Sequence, residues 1–145
     1  MNSVGIATAC MNRELNLIRA IPSWLKSGAD KIHIIDWCSD LNLQEFIEDK
    51  LGVNSKVKFF RINNKKKWIL THAFNLALSS LDTNFIAKFD CDHTCKKNFF
   101  NEIDAYYSKF QEETCSSIKK WPSEIFLNGW HVVLKKQGYN TAHIH

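Results

Sequence analysis

Short apolar runs alternate with stretches of helical periodicity along most of the chain. Val4 to Ala9 is a mostly apolar run of the kind that fills a parallel strand buried on both faces. After Asn12-Arg13-Glu14, the apolar positions Leu15, Ile18, Ile21 and Leu25 keep the spacing of a helix, which Pro22 is expected to kink or interrupt and Gly28 to close. Lys31 to Asp36 reads as a second strand. Asp40 is the expected N-cap of a helix carrying Leu43, Phe46, Ile47 and Leu51, with Gly52 at its C-terminal end. Val57 to Ile62 forms a third strand, and a basic loop leads from it into a helix bearing Ala73, Leu76, Ala77 and Ser80. Phe85 to Asp90 is a fourth strand. Phe99, Ile103, Tyr106, Tyr107 and Phe110 then return to helical spacing, which marks them as core rather than as a stacking site.

Strands that alternate with helices imply right-handed crossovers, hence an α/β fold: three layers, with a mostly parallel sheet between helices on both faces. Ligands of such sheets bind outside the carboxyl ends of the strands. Three polar clusters fall there, Thr8-Ala9-Cys10, Asp36-Trp37-Cys38-Ser39-Asp40 and Asp90-Cys91-Asp92. In the last of them, two carboxylates one residue apart offer hard oxygen ligands to Mg²⁺ or Mn²⁺.

The 145 residues, 45% hydrophobic and without a Pro/Gly/Ser linker or an internal repeat, predict a single domain over 1–145. A net charge of +4, with acidic side chains mixed among the basic ones outside Lys65-Lys66-Lys67, does not call for nucleic acid. No helix-turn-helix, RNP or zinc-finger signature is present, and no Gly-x-Gly-x-x-Gly or P-loop follows a strand. The start of the chain lacks the pattern of a secretion signal, and no apolar run reaches the roughly 20 residues of a membrane span. Five cysteines without an export signal argue for reduced thiols. The expected setting is cytoplasmic, at most peripheral to a membrane.

The segments Ala9-Cys10-Met11-Asn12-Arg13, Ile21-Pro22-Ser23-Trp24-Leu25, Ile34-Ile35-Asp36-Trp37-Cys38-Ser39-Asp40, Ala73-Phe74-Asn75-Leu76-Ala77 and Phe89-Asp90-Cys91-Asp92 stand in the order found in family-2-like glycosyltransferases of the GT-A fold, which the chain resembles. The resemblance continues through Leu127 to Trp130 and on to Asn140, similar to the family's acceptor-side strand and turn. It implies a nucleotide-sugar donor, a UDP-sugar, with Thr8, Ala9 and Arg13 lining the nucleotide pocket and Asp36 meeting the uracil or ribose. Asn75 belongs to the same donor-binding set. By the same resemblance Asp90 contacts the ribose or the metal shell, and Asp92 ligates Mn²⁺ or Mg²⁺.

Phe74 stands where many relatives carry an Arg, so the phosphate charge falls to Lys65, Lys66 or Lys67. Relatives usually continue past the Gly138-Tyr139-Asn140 turn into an acidic motif that supplies the general base, and the sequence ends at His145. No base is assigned, and the expectation is a nucleotide-sugar-binding part without the acceptor part. Glu124 and His131 are the first acceptor-side residues to consider as a base.

Three other readings compete: a non-catalytic nucleotide-sugar binder, a nucleic-acid-binding module, and a zinc or redox module built on Cys91, His93 and Cys95 with Cys10 and Cys38. The Cys91-Asp92-His93-Thr94-Cys95 spacing does not match the paired patterns of structural zinc. Trp37, Trp68, Trp121 and Trp130 are candidates for stacking on a base or sugar, with packing the more common use.

Overall fold

The computed structural model describes residues 3–101 in full and, beyond them, the backbone of two strands at 124–127 and 130–134. In chain order the elements are β1 (Val4–Cys10), α1 (Glu14–Leu25), β2 (Lys31–Trp37), α2 (Leu43–Leu51), β3 (Val57–Ile62), α3 (Leu70–Ser80), β4 (Phe85–Lys88), β5 (Glu124–Leu127) and β6 (Trp130–Leu134). They build one sheet in the order β3-β2-β1-β4-β6-β5. The first four strands in that order are parallel, while β6 is antiparallel to both β4 and β5.

The period-2 alternation of β1 divides the interior into two cores. Val4, Ile6 and Cys10 face one side, where they pack with Leu17, Ala20, Ile21 and Trp24 of α1 and Leu43 and Ile47 of α2. Ala7 and Ala9 face the other, with Ala73, Phe74, Ala77 and Leu78 of α3. The helices cover both faces, as the alternation predicted. Because β2 and β3 step outward on one side of β1 and β4 returns to its other side, the strand order reverses between β1 and β4. That reversal opens a crevice at their carboxyl ends.

Several local expectations shift. Of the predicted stripe of α1, Ile21 is buried and Ile18 and Leu25 pack half-buried against the core, whereas Leu15 is 66% exposed and Leu17, Ala20 and Trp24 complete the buried face. Pro22 does not stop α1, which continues to Leu25 because Ile21 and Trp24 on either side of the proline are locked in the core. Gly28, at φ 91°, follows the helix end as expected. The N-cap of α2 is Asn42 rather than Asp40, its Oδ1 accepting from the Glu45 backbone N–H at 3.2 Å. On α3 the buried residues are Ala73, Phe74, Ala77 and Leu78, whereas Leu76 is exposed.

Phe99 is buried, and the remainder of its predicted stripe lies outside the described residues, as does Trp121. The β5–β6 pairing sets Leu127 opposite Trp130, leaving only Asn128 and Gly129 between the strands.

Candidate functional site

At the reversal point, a cleft of about 350 Å³ is lined by Ala9, Cys10 and Met11 from the end of β1, Arg13 at the head of α1, and Asp90, Cys91 and Asp92 after β4. Trp68, Leu70 and Phe74, from the loop before α3 and its first turns, make the opposite wall. Trp68 is 37% exposed and meets Trp37 edge-on, with centroids 6.3 Å apart. Trp37 in turn donates from Nε1 to the Lys67 carbonyl at 2.9 Å, which fixes the loop that carries Trp68.

The turn after β4 holds the carboxylates. Single ligand atoms of Asp90, Asp92 and His93 all lie within 4.8 Å of one another. His93 Nε2 is 3.9 Å from Asp90 Oδ2 and 4.0 Å from Asp92 Oδ1. Two carboxylates and one imidazole are a donor set that Mn²⁺ accepts readily and Mg²⁺ accepts through its oxygens. His93 was not foreseen as a partner of the two aspartates for such a cation. Its signal was adjacency to Asp92, which became meaningful only once the turn folded the imidazole back toward both carboxylates.

The turn is anchored from below. Trp24 Nε1 donates to the His93 carbonyl at 2.7 Å, and the Cys95 backbone N–H donates to Ser23 Oγ at 3.2 Å. The Asn98 and Phe100 N–H groups donate to the carbonyls of Lys26 and Ser27, each at 2.8 Å. Under it, the rings of Trp24, Phe89, Phe99 and Phe100 pack together.

The second predicted cluster is built differently from the other two. Asp36 lies inside β2, is 1% exposed and is not among the residues lining the cleft. Its Oδ1 accepts from the Ser39 N–H and its Oδ2 from the Leu43 N–H, each at 3.1 Å, and Oδ2 also pairs with Arg61 Nη1. Arg61 donates further to the carbonyls of Leu41 and Ser39. A buried carboxylate here ties β2, β3 and the head of α2 into one unit. The loop so fixed meets the end of β1, since Ser39 Oγ accepts from the Asn12 N–H at 3.0 Å and the Asp40 N–H donates to Asn12 Oδ1 at 2.8 Å. Asn12 and Cys38 both adopt positive φ, 57° and 50°, where these two strand ends turn.

Of the sequence-predicted residues, the structure brings Ala9, Arg13, Asp90 and Asp92 into one cleft. Thr8 is fully buried within β1, and Asn75 is half-buried on α3; neither lines the cleft. Lys65, Lys66 and Lys67 are exposed and stand outside the lining. Among the described residues, Asp90, Asp92 and His93 form the one His/Cys/Asp/Glu group of metal-binding spacing, and neither Cys91 nor Cys95 joins it. Cys95 instead donates from Sγ to the Ser23 carbonyl. Cys10 and Cys91 interact with each other: hydrogen bonding to Cys91, then burial, pushes the Cys10 thiol up, and accepting that bond lowers Cys91.

A family model described as Glycosyl transferase family 2 matches residues 5–141. The chain belongs to that family.

The family 2 chain also shares its fold with solved structures of residues 1–349 of S. aureus TarS. One has a TM-score of 0.62 at 16% identity, covering 91% of this chain and 47% of that one. The complex with UDP gives 0.59 at 16% identity over 74% of this chain and 32% of that one, and the complex with UDP-GlcNAc gives 0.61 at 17% over 74% and 31%. The family 2 chain therefore spans less than half the length of these neighbours. No curated protein sequence matches it. Among the described residues, no helix is long and apolar enough to cross a membrane.

Proposed function

We propose that this chain binds a uridine diphospho-sugar in the cleft between β1 and β4 and is the donor-binding part of a glycosyltransferase that passes the sugar to a hydroxyl acceptor. The observation that carries the reading is the meeting of Asp90, Asp92 and Arg13 in one cleft at the point where strand order reverses. Family membership supports the reaction class. The UDP and UDP-GlcNAc complexes of TarS support the donor class.

In this reading the Arg13 guanidinium faces the diphosphate, and Ala9 at the end of β1 offers its small side chain where the nucleotide approaches. The Trp68 ring supplies an aromatic face for the base or sugar. Asp36 acts through the backbone it holds, by fixing the Ser39–Asn42 loop against Asn12. Asp92, Asp90 and His93 would hold Mn²⁺ or Mg²⁺, which when bound supplies charge stabilisation for the departing nucleoside diphosphate.

On the acceptor side, the strand register separates the two residues considered as a base. His131 pairs with Lys88, at the end of β4 that leads into Asp90, whereas Glu124 pairs with Val133 toward the opposite end of the sheet. His131 is the better-placed candidate.

Calorimetric titration with UDP, with and without Mn²⁺, tests the donor reading. UDP should bind wild type more tightly with Mn²⁺, and Asp92→Ala should keep only the metal-independent part. Equal affinity of both proteins in Mn²⁺ would remove the assignment.

A further inference from the structure

Two of the four described thiols sit side by side on the floor of the cleft. β1 and β4 pair in parallel with Ala7 opposite Lys88, and the Phe89 N–H continues the ladder to the Ala7 carbonyl at 3.0 Å. Beyond the last pair of that ladder, Cys10 ends β1 and Cys91 lies in the turn after β4, where the two side chains hydrogen-bond to each other. Both side chains belong to the same core cluster, on the α1 side of the sheet. Both thiols are free and both line the cleft, yet they are only 1% and 6% exposed. Cys38 and Cys95 are half-buried and belong to neither the pair nor the cleft lining.

We propose that Cys10 and Cys91 form a modification site, a dithiol that small peroxides oxidise to an intramolecular disulfide. The Cys91 sulfur, the more accessible of the two, attacks the peroxide O–O bond; a sulfenic acid forms and one water leaves. The Cys10 sulfur then displaces that hydroxyl, the S–S bond forms, and a second water leaves. The two sulfurs together give up two electrons and two protons, and one peroxide molecule takes up both. Burial selects the oxidant, since a peroxide fits where a bulky disulfide such as oxidised glutathione cannot reach either sulfur in line.

Cys91 stands between Asp90 and Asp92, so the new bond would fix the backbone that carries both carboxylates. This coupling rests on the proposed donor site, whereas formation of the disulfide does not.

The test treats the full chain with stoichiometric hydrogen peroxide, blocks remaining thiols and maps cross-linked peptides by mass spectrometry. One cross-link joining the Cys10 and Cys91 peptides is expected, with the loss of two hydrogens. It should persist when Cys38, Cys95 and Cys115 are replaced by Ser and vanish in Cys10→Ala and in Cys91→Ala, each checked by circular dichroism for folding. Wild-type mapping needs no variant: both thiols alkylated after peroxide, Cys91 over-oxidised alone, or a cross-link to another cysteine would each overturn the proposal. A second arm adds UDP and Mn²⁺ at about 100 times Kd, where cross-linking should slow by roughly the unliganded fraction, about a hundredfold. A cross-link that forms at the same rate with UDP bound would count against the donor site and leave the dithiol standing.

Discussion

Asp36 and Asp92 are both aspartates near the carboxyl ends of strands that flank β1, yet burial gives them opposite tasks. Asp92 is exposed, and its oxygens are free to meet a cation beside Asp90 and His93. Asp36 is enclosed and already accepts from two backbone N–H groups and Arg61. Removing one partner of a buried pair leaves the other charge unpaired and costs about 3–5 kcal/mol. Arg61 is partly exposed, so Asp36→Ala should lose toward the lower end, roughly 3 kcal/mol, in urea denaturation. Asp92→Ala should lose almost none. A stable Asp36→Ala protein would show that the network holds nothing together. Sequence alone showed both carboxylates but not this difference, because Arg61 sits 25 residues from Asp36 and becomes its neighbour only through the β2–β3 register.

His33 makes a second prediction at this scale. It is buried on β2 with Nδ1 2.9 Å from Ser80 Oγ, and burial, then the charges of Lys58 and Lys31, lower its pKa below the ordinary 6.5, against the opposing pull of Asp82. The unfolded chain thus binds the proton more readily than the folded one. Its contribution to stability is complete above about pH 6.5 and is lost as pH falls through the folded pKa. Denaturation measured from pH 8 to pH 5 should show stability declining toward acid, with a shallower decline in His33→Gln. Identical slopes in the two proteins would rule the imidazole out as the source.

At the scale of elements, the acidic turn after β4 depends on α1 for its position. The Trp24 indole reaches the His93 carbonyl while its ring packs on Phe89. Trp24→Phe keeps an aromatic ring in the core but deletes the donor, leaving a carbonyl without it, at a cost of about 1 kcal/mol or somewhat more. The sharper expectation is functional: Mn²⁺-dependent UDP affinity should fall severalfold while metal-free affinity stays near wild type. Unchanged metal dependence would mean that the turn holds its shape without α1. The order of strands and helices was legible because apolar runs and helical stripes differ in period. The exact faces of α1 and α3 were not, since Leu15 and Leu76 fit a helical stripe as well as Leu17 and Leu78 do and only packing chooses between them. The cap of α2 was misread for a similar reason: Asp40 and Asn42 are both good capping residues, and because the helix begins at Leu43 only Asn42 stands in the capping position.

At the scale of the whole molecule, the chain spans 47% or less of the TarS structures that share its fold. Whether so short a piece can hold a nucleotide on its own depends on where the cleft-forming residues come from. The cleft lining falls between Ala9 and Asp92, and all its residues stand on or beside the four parallel strands, with α3 forming one wall. The supports of that lining, Trp24, Phe99 and Phe100 under the turn, Trp37 under the Lys67–Trp68 loop and Asp36 under the Ser39 loop, lie within residues 9–100, as does His93 of the cation group. A binding site whose lining and props come from one continuous stretch does not wait for further chain to form it, so UDP with Mn²⁺ should stabilise the 145-residue protein itself. A ligand at about 100 times its Kd adds roughly 2.7 kcal/mol to the folded state. For a domain of this size that corresponds to a rise in Tm of roughly 5–10 °C. Scanning calorimetry should show this rise for wild type, little of it for Asp92→Ala, and none with uridine and Mn²⁺ at the same concentration, because uridine lacks the diphosphate that Arg13 and the cation would engage. An equal rise with uridine would place recognition on the base alone. No rise with UDP and Mn²⁺ would mean that the cleft needs parts that residues 9–100 do not supply.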